Sequence, residues 1–213
     1  MKHLYILLFV LPLICFGQDY DYTPQTTTNN SEYYKEYWEN GQLKLEGNFK
    51  NGKEEDLWKY YWESGELYIK GNFVNGQRQG SWNHYWENGQ LWVEGNYTNG
   101  SLEGSWTSYF KTGELSRKGI YKGGEKVSEW KYYYESGELE EELNFKDGIP
   151  TSTKYYYESG QLGQEGTFED GKQEGLWKFY YESGQLEQVE NWKDGQLISS
   201  KLWNKDGKEI ERK

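Results

Sequence analysis

The sequence predicts an all-β protein: a single twisted sheet built as an elongated, solenoid-like array of about seven antiparallel β-hairpins of 23–24 residues each. Composition is the first reason. The chain has 213 residues with 11 Trp, 21 Tyr and 8 Phe, and it contains no Ala, the residue that most favours helix, whereas aromatic residues favour strands. Twenty-six Gly against 3 Pro suit many tight turns. The second reason is a periodic pattern of glycines, described below.

The amino-terminal residues predict export. Lys2 and His3 precede an apolar run that ends at Phe16, which is too short to span a bilayer and is typical of a secretory signal. We therefore expect residues 1–17 to be a signal peptide, cleaved before Gln18, and residues 18–32 to be a flexible polar linker. A lipoprotein anchored through Cys15 is the alternative, although Ile14 stands where a small residue is usual.

Charge and cysteine content restrict the function classes. The chain has a formal net charge of −11, and Cys15, in the predicted signal, is its only cysteine. The mature chain is thus predicted to have no disulfide and no thiol chemistry. An acidic surface repels phosphates, so we expect neither nucleic acid nor anionic membrane as a partner, and the sequence contains no predicted transmembrane segment after the signal.

The repeat domain is predicted over residues 33–213. One turn glycine recurs at intervals of 23 or 24 residues, and a second follows each of the first seven by 11 residues. Two turns per repeat with alternating apolar residues between them indicate two strands per repeat. The first series is Gly41, Gly65, Gly89, Gly113, Gly137, Gly160, Gly184 and Gly207.

Alternation within the strands predicts a register in which each repeat tryptophan faces a glycine. Pairing across the first turn sets Trp58 opposite Gly71 and Trp62 opposite Leu67, whether that turn has two or four residues. The missing Cβ leaves room for the indole ring over the backbone. The structural residues predicted on this basis are Trp58, Trp82, Trp106, Trp130 and Trp177, with Gly47, Gly71, Gly95, Gly119 and Gly166.

The segment from Trp86 to Trp106 carries a recognisable pattern: an aromatic residue before a turn glycine, then Leu91, Glu94-Gly95, Tyr97, a second turn glycine, and Gly-x-Trp. This pattern resembles the MORN-repeat variant family, and the resemblance covers about residues 33–210. It implies an array of antiparallel hairpins that serves as an interaction scaffold. Some bacterial members carry an antitoxin label, and MORN repeats also occur with lipid kinases, but this sequence has no kinase motif.

No catalytic or metal site and no cofactor are predicted. His84 stands in a column that is otherwise mostly aromatic, so we interpret it as a semi-buried substitution rather than a base or ligand. One glutamate per hairpin, as at Glu63 and Glu87, forms a solvated rim rather than the facing pair of a glycosidase. Acidic loops lack the ligand spacing of a calcium loop. We therefore expect a non-enzymatic protein.

A stripe of tyrosines is the best candidate binding surface in the sequence. One aromatic residue stands four positions before each first-series glycine, on the pleat face opposite the tryptophans. Tyr68 and Trp92 are expected to join this stripe from the neighbouring strands and to form a contact patch. The candidate binding residues are Tyr61, Tyr68, Tyr85, Trp92, Tyr109 and Tyr133.

One repeat departs from the pattern. Between Asp147 and Lys154 the loop is one residue short, Pro150 enters, Thr153 replaces the tryptophan and Leu143 replaces the glycine. We expect local repacking there, and a bend in the array or a hinge are the alternatives.

The sequence as a whole favours an exported scaffold, periplasmic or extracellular, that presents an aromatic sheet surface to a macromolecule. A protein is the preferred partner, a cell-envelope glycan such as peptidoglycan is the alternative, and an antitoxin or immunity role is a further one.

Overall fold

The computed structural model describes residues 31–211, which form one 16-stranded antiparallel sheet in which the strands lie side by side in chain order. The predicted all-β hairpin array is confirmed. The predicted signal peptide and most of the predicted linker lie outside the described residues, while Ser31 and Glu32, assigned to the linker, already belong to the first strand. The strands are β1 Ser31–Tyr37, β2 Leu43–Lys50, β3 Lys53–Tyr61, β4 Leu67–Val74, β5 Gln77–Tyr85, β6 Leu91–Thr98, β7 Ser101–Tyr109, β8 Leu115–Lys122, β9 Glu125–Tyr133, β10 Leu139–Lys146, β11 Ile149–Tyr156, β12 Leu162–Glu169, β13 Lys172–Tyr180, β14 Leu186–Lys193, β15 Gln196–Trp203 and β16 Glu209–Ile210.

The two turn series have different lengths. At Asn51-Gly52 both residues have positive φ, 53° and 74°, which is the two-residue turn that Asn-Gly favours. The turn after β1 instead has three residues between Trp38 and Gln42: the Gly41 amide donates to the Trp38 carbonyl at 2.9 Å, and the Trp38 amide donates to the Gln42 carbonyl at 2.8 Å. Gly41 has φ of 85°, a conformation that glycine adopts without strain.

The three-residue turn makes part of the predicted register wrong. Tyr61, not Trp62, lies opposite Leu67, whereas Tyr60 lies opposite Ile69 as predicted. Tyr68 is therefore an extra residue in β4, a β-bulge that brings the strand back into the predicted register. The same irregularity recurs at Trp92, where His84 pairs with Val93 and Tyr85 with Leu91.

Beyond this bulge the tryptophan–glycine pairing is confirmed. Trp58 pairs with Gly71, and Trp82 with Gly95. The indole ring, however, lies over the glycine of the preceding strand: the Trp58 ring occupies the place of a Cβ at Gly47, and the Trp82 ring that of a Cβ at Gly71. Each glycine from Gly71 to Gly119 thus has a tryptophan on both sides. The same ring position recurs for Trp130 on Gly119 and Trp177 on Gly166.

Trp106 is the exception. Leu102 is buried, with its Cδ2 3.6 Å from the Cβ position of Gly95, and so takes part of the space that the indole fills in other repeats. The Trp106 ring lies instead 5.6 Å from the ring of Trp130, with the Arg117 guanidinium 4.9 Å from its centroid. Trp106 is accordingly half-buried, whereas Trp82 is 1% exposed.

Edge-to-face aromatic contacts connect the tryptophans of the first repeats into one core on this face, which we call the Trp face. The ring of Phe49 lies 5.0 Å from that of Trp58, and Phe73 lies between Trp58 at 6.1 Å and Trp82 at 4.9 Å. Tyr97 lies 6.0 Å beyond Trp82. Edge-to-face geometry aligns the positive ring edge with the negative ring face, so each ring stabilises its neighbours.

A second bulge precedes each of these tryptophans. Asp56 and Ser128 have φ of 60° and 58°, and glycines with positive φ take the equivalent place in β5, β7 and β13. The indole nitrogen of Trp82 donates to the Asn72 carbonyl at 3.1 Å, beside the shift in register between Gly71 and Asn72. The indole nitrogens of Trp58, Trp130 and Trp177 donate to the equivalent carbonyls in their own repeats.

The bulge before the tryptophan position is one residue shorter in both 23-residue repeats. Leu143 lies opposite Thr153, and both are buried; in the second such repeat Glu190 lies opposite Ser200. β11 and β15 contain no residue with positive φ. The expected repacking is confirmed: a side chain replaces the glycine where a small residue replaces the tryptophan, so the same volume is filled from the other strand.

Hydrogen bonds along the two sides of the sheet that carry the turns link neighbouring repeats. The indole nitrogen of Trp62 donates to the Tyr85 carbonyl at 3.2 Å, and the Tyr157 hydroxyl donates to the Tyr180 carbonyl at 2.8 Å. At the other edge the Gly76 amide donates to the Glu54 carbonyl at 2.9 Å, and the Asn75 amide to the Glu55 carboxylate at 2.8 Å. Such nearest-neighbour coupling is the basis of stability in repeat proteins.

Candidate binding surfaces

The face opposite the Trp face carries a row of polar residues that runs across the sheet, one per strand. Glu46 pairs with Lys59, and Lys59 in turn pairs with Lys70, and this succession of opposite neighbours continues to Lys178. We call it the polar row. Its members are Glu46, Lys59, Lys70, Asn83, Glu94, Thr107, Lys118, Lys131, Glu142, Lys154, Glu165 and Lys178.

The predicted tyrosine stripe lies beside the polar row, and we call it the tyrosine row. It consists of half-buried tyrosines on alternate strands, each in contact with the polar-row residue of the preceding strand. The Tyr61 hydroxyl donates to Glu46 at 2.7 Å, and the Tyr109 hydroxyl donates to Glu94 at 3.1 Å. Its members are Tyr61, Tyr85, Tyr109, Tyr133, Tyr156 and Tyr180.

Where the polar row carries lysine instead of glutamate, the contact changes type. The Lys70 ammonium lies 5.5 Å from the centroid of the Tyr85 ring, and the Lys118 ammonium lies 5.8 Å from that of Tyr133. These are cation–π distances. Each of these tyrosines is therefore oriented by a charged group, either at its hydroxyl or at its ring.

Ion pairs neutralise three of the four carboxylates in the polar row. Lys59 lies 3.4 Å from Glu46, Lys131 lies 2.9 Å from Glu142, and Lys178 lies 3.1 Å from Glu165. The hydrogen bonds from Tyr33 and Tyr61 lower the pKa of Glu46, and the hydrogen bond from Lys131 lowers that of Glu142.

The pKa values of Glu165 and of the tyrosines follow the same contacts. Burial would raise the pKa of Glu165, but the hydrogen bonds from Lys178 and Tyr180 outweigh it and lower the pKa. Burial and the bond to Glu142 raise the pKa of Tyr156 to about 12. The pKa values of Tyr61, Tyr109 and Tyr180 are raised as well, by burial and by their hydrogen bonds to glutamate, so the four hydroxyls that contact glutamate are neutral donors at physiological pH.

Tyr68 and Trp92 do not join the tyrosine row, contrary to the prediction. As bulge residues they turn to the Trp face, where Tyr68 lies 4.1 Å from Trp62 and Trp92 lies 4.6 Å from Trp86, centroid to centroid. His84 lies between them, 6.2 Å from each ring. We call Trp62, Tyr68, His84, Trp86 and Trp92 the aromatic patch; all five are half-buried.

His84 is buried enough to stay uncharged. Burial, assisted by the nearby Arg78, lowers the pKa of His84 to about 4. The imidazole takes the place that Tyr60 and Tyr132 hold in other repeats, which agrees with the interpretation of His84 as a semi-buried substitution.

A charged cluster on the Trp face was missed in the sequence. Lys126 donates to the Tyr132 hydroxyl at 2.9 Å, and its ammonium lies 4.4 Å from the Trp130 ring. Burial and the neighbouring Arg117 lower the pKa of Lys126 to about 8, and burial raises that of Glu141. The signal in the sequence is the core column, which changes from apolar residues at Leu45, Ile69 and Val93 to Arg117 and Glu141.

A groove lies near the first short repeat. It is open, has a volume of about 390 Å³, and is lined by side chains that include Glu142, Lys154, Glu165 and Lys178 of the polar row. Within residues 31–211 no three His, Cys, Asp or Glu side chains lie close enough together to hold a metal ion. That part of the chain also contains no helix capable of crossing a membrane.

Comparison with known proteins agrees with the repeat structure. The MORN repeat variant matches seven consecutive segments, residues 33–51, 57–75, 78–99, 102–122, 126–147, 152–170 and 173–194. A search of curated proteins finds no match to the chain. From the second segment on, each match takes in the tryptophan position of one strand or its replacement, the three-residue turn and the glycine position of the next strand. The matched segments cover more than half of the chain, which therefore belongs to the MORN-repeat variant family.

Proposed function

We propose that the protein is an exported, non-enzymatic scaffold that binds a protein partner through the aromatic patch. The observation that carries the proposal is the set of five half-buried rings, two of which are the adjacent indoles of Trp86 and Trp92. Tryptophan and tyrosine dominate the binding energy of protein interfaces because they bury a large area with few rotamers to lose. Membership of a family of repeat scaffolds supports the same function.

The surroundings of the patch indicate the chemistry of the partner. Glu63, Glu66 and Glu87 are exposed in the turns beside it. The patch thus has an apolar centre and an acidic rim, which favours a partner with an apolar projection surrounded by basic residues.

The repeats themselves provide the variants that test this function. Ser116 is the equivalent of Tyr68 and Trp92 in the next repeat, so Tyr68→Ser and Trp92→Ser copy a residue that the fold already accommodates. We expect the double variant to lose capture of partner proteins from the envelope of the source cell, as measured by quantitative mass spectrometry. Glu187→Ser, a change at the same repeat position away from the patch, is the matched control. Equal capture by the double variant and the control contradicts the proposal.

Export is tested separately. We expect the mature chain in the periplasm or medium to begin at Gln18, as determined by amino-terminal sequencing. A chain that retains Met1, or that carries lipid on Cys15, contradicts the proposed processing.

A further inference from the structure

The tyrosine row has a regular spacing. Its tyrosines lie on β3, β5, β7, β9, β11 and β13, so neighbouring rings are two strands apart, about 9.6 Å for strands about 4.8 Å apart. A row of equivalent groups at a constant distance suits a linear ligand that repeats itself at the same distance.

The rings of the row are held in place before any ligand binds. Four of the six hydroxyls are hydrogen-bonded to Glu46, Glu94, Glu142 or Glu165, and the other two rings lie beside Lys70 and Lys118. Fixed rings lose little conformational entropy on binding, which increases affinity.

The charge of the polar row differs from that of the whole chain. The polar row contains six lysines and four glutamates, 6 − 4 = +2, although the chain has a net charge of −11. Three of those glutamates are paired with lysines at 2.9–3.4 Å. Nearly all charged groups of the polar row are thus already engaged by an ion pair, a tyrosine hydroxyl or a tyrosine ring, so the row suits an uncharged ligand rich in hydrogen-bonding groups better than a polyanion.

Amide side chains complete the surface. Asn72, Asn96 and Asn144 are exposed on the even-numbered strands, each two residues beyond a member of the polar row. Amides both donate and accept hydrogen bonds, as the hydroxyl groups of a sugar do.

We propose that the tyrosine row, together with the polar row, binds an uncharged β-1,4-linked polysaccharide, with one disaccharide unit at each tyrosine. In such a chain every second sugar presents the same apolar C–H face, and this two-sugar repeat matches the spacing of the rings. Sugar faces stack on tyrosine rings because the rings are flat and apolar with a polar tip. This site lies on the face opposite the aromatic patch and is independent of the proposed protein partner.

Oligosaccharides of increasing length test the match without any variant. We expect the affinity of the mature chain for cello-oligosaccharides or chito-oligosaccharides, measured by calorimetry, to rise about fivefold for each added disaccharide from two to six sugars. We expect no such rise for malto-oligosaccharides, whose α-1,4 linkage coils the chain. Binding should change little on raising NaCl from about 0.05 to 0.5 M, because no charge on the ligand is screened.

Variants of the row identify the face. Tyr85→Ala, Tyr109→Ala and Tyr133→Ala, alone and together, are expected to weaken binding of the six-sugar probe, each by about fivefold. The corresponding phenylalanine variants keep the rings, so their affinity for the six-sugar probe is expected to stay within about twofold of the parent. These variants also test the proposal if an alanine variant does not fold. Tyr68→Ser with Trp92→Ser on the opposite face is expected to leave sugar binding unchanged while protein capture is lost.

Three results overturn the inference: no binding of any β-1,4 probe by a folded chain, affinity independent of oligosaccharide length, or loss of binding in the Trp92→Ser variant instead of the Tyr109→Ala variant. Tight binding of a polyanion such as alginate that disappears with salt also overturns it, because the surface then acts through its lysines.

Discussion

The indole ring of Trp82 occupies the space in which a side chain of residue 71 would begin, so the ring rests directly on the backbone of Gly71. Its nitrogen donates to the Asn72 carbonyl at 3.1 Å, and its ring contacts Phe73 edge to face, with the centroids 4.9 Å apart. One residue thus covers the backbone, satisfies a carbonyl beside a bulge and connects two repeats.

Replacing the glycine under the ring tests this relationship. We expect Gly71→Ala to lower the free energy of unfolding by about 2–3 kcal/mol, because the added methyl group must displace a buried indole. Urea denaturation of the mature chain measures the effect.

Gly95→Ala is the matched comparison. Its Cβ would meet Cδ1 of the half-buried Trp106 at 2.8 Å, and that ring has room to move, so we expect a loss of only about 1 kcal/mol. If both variants lose the same stability, the position of the ring is not what requires glycine.

The indole hydrogen bond is tested by Trp82→Phe. The change leaves the Asn72 carbonyl without its side-chain donor and also removes buried ring area, so we expect a loss of about 2–4 kcal/mol. Trp106→Phe, at a half-buried ring, is expected to cost less than half as much. Equal thermal and urea midpoints for the two variants would contradict this assignment.

Much of the fold can be predicted from the sequence, because the glycine spacing marks the turns and the alternation of apolar residues shows which side chains share one face of the sheet. The pairing of Trp58 with Gly71 is such a case. The face of Tyr68 is not such a case, because Ser64-Gly65 before it resembles the two-residue turn Asn51-Gly52 in sequence. In the structure Gly65 belongs to a three-residue turn between Trp62 and Glu66, whereas Asn51-Gly52 is a two-residue turn. That one residue decides which face the bulge residue takes.

Competition between two side chains for the same space is also hard to predict from residue spacing. Leu102 displaces the Trp106 ring, and it is apolar where other repeats have Glu54, Arg78, Lys126 or Gln173. That difference alone does not show which of the two side chains takes the space over Gly95. By contrast, the 23-residue interval between Gly184 and Gly207 is visible in the sequence and indicates the loss of the tryptophan at Ser200.

In the first short repeat, Leu143 stands in place of the glycine and Thr153 in place of the tryptophan, so we expect mutations at these two positions to be coupled in their effect on the free energy of unfolding. Thr153→Trp alone places an indole against the buried Leu143, and Leu143→Gly alone leaves a cavity, so each is expected to cost about 2–4 kcal/mol. The double variant is expected to be more stable than the sum predicts by at least about 1 kcal/mol, because the indole then fills the cavity. Additive losses in the double-mutant cycle would show that the two positions do not share one space.

His84 predicts a specific pH dependence. Its pKa is about 4 in the folded protein and near 6.5 when exposed, so the unfolded chain binds more protons between these values and stability falls as the pH drops from about 7 to 4. The contribution of His84 is on the order of 3 kcal/mol.

Replacing His84 by tyrosine, the residue at this position in other repeats, isolates this contribution. His84→Tyr copies Tyr60 and Tyr132 and is expected to match the parent near pH 7 but to lose less stability by pH 4, as measured by urea denaturation at each pH. Parallel pH profiles for the two proteins would mean that the imidazole is not desolvated.

The hydrogen bonds from Trp62 to the Tyr85 carbonyl and from Asn75 to Glu55 recur at the same relative position between other neighbouring repeats, as from Trp86 to the Tyr109 carbonyl and from Asn99 to Gln79. A gene duplication or deletion of one whole unit therefore creates a new junction with the same donors and acceptors as the old ones. Such a chain can change its length by whole repeats, and with it the number of sites along each face, while the new junction keeps the same kind of contact between repeats.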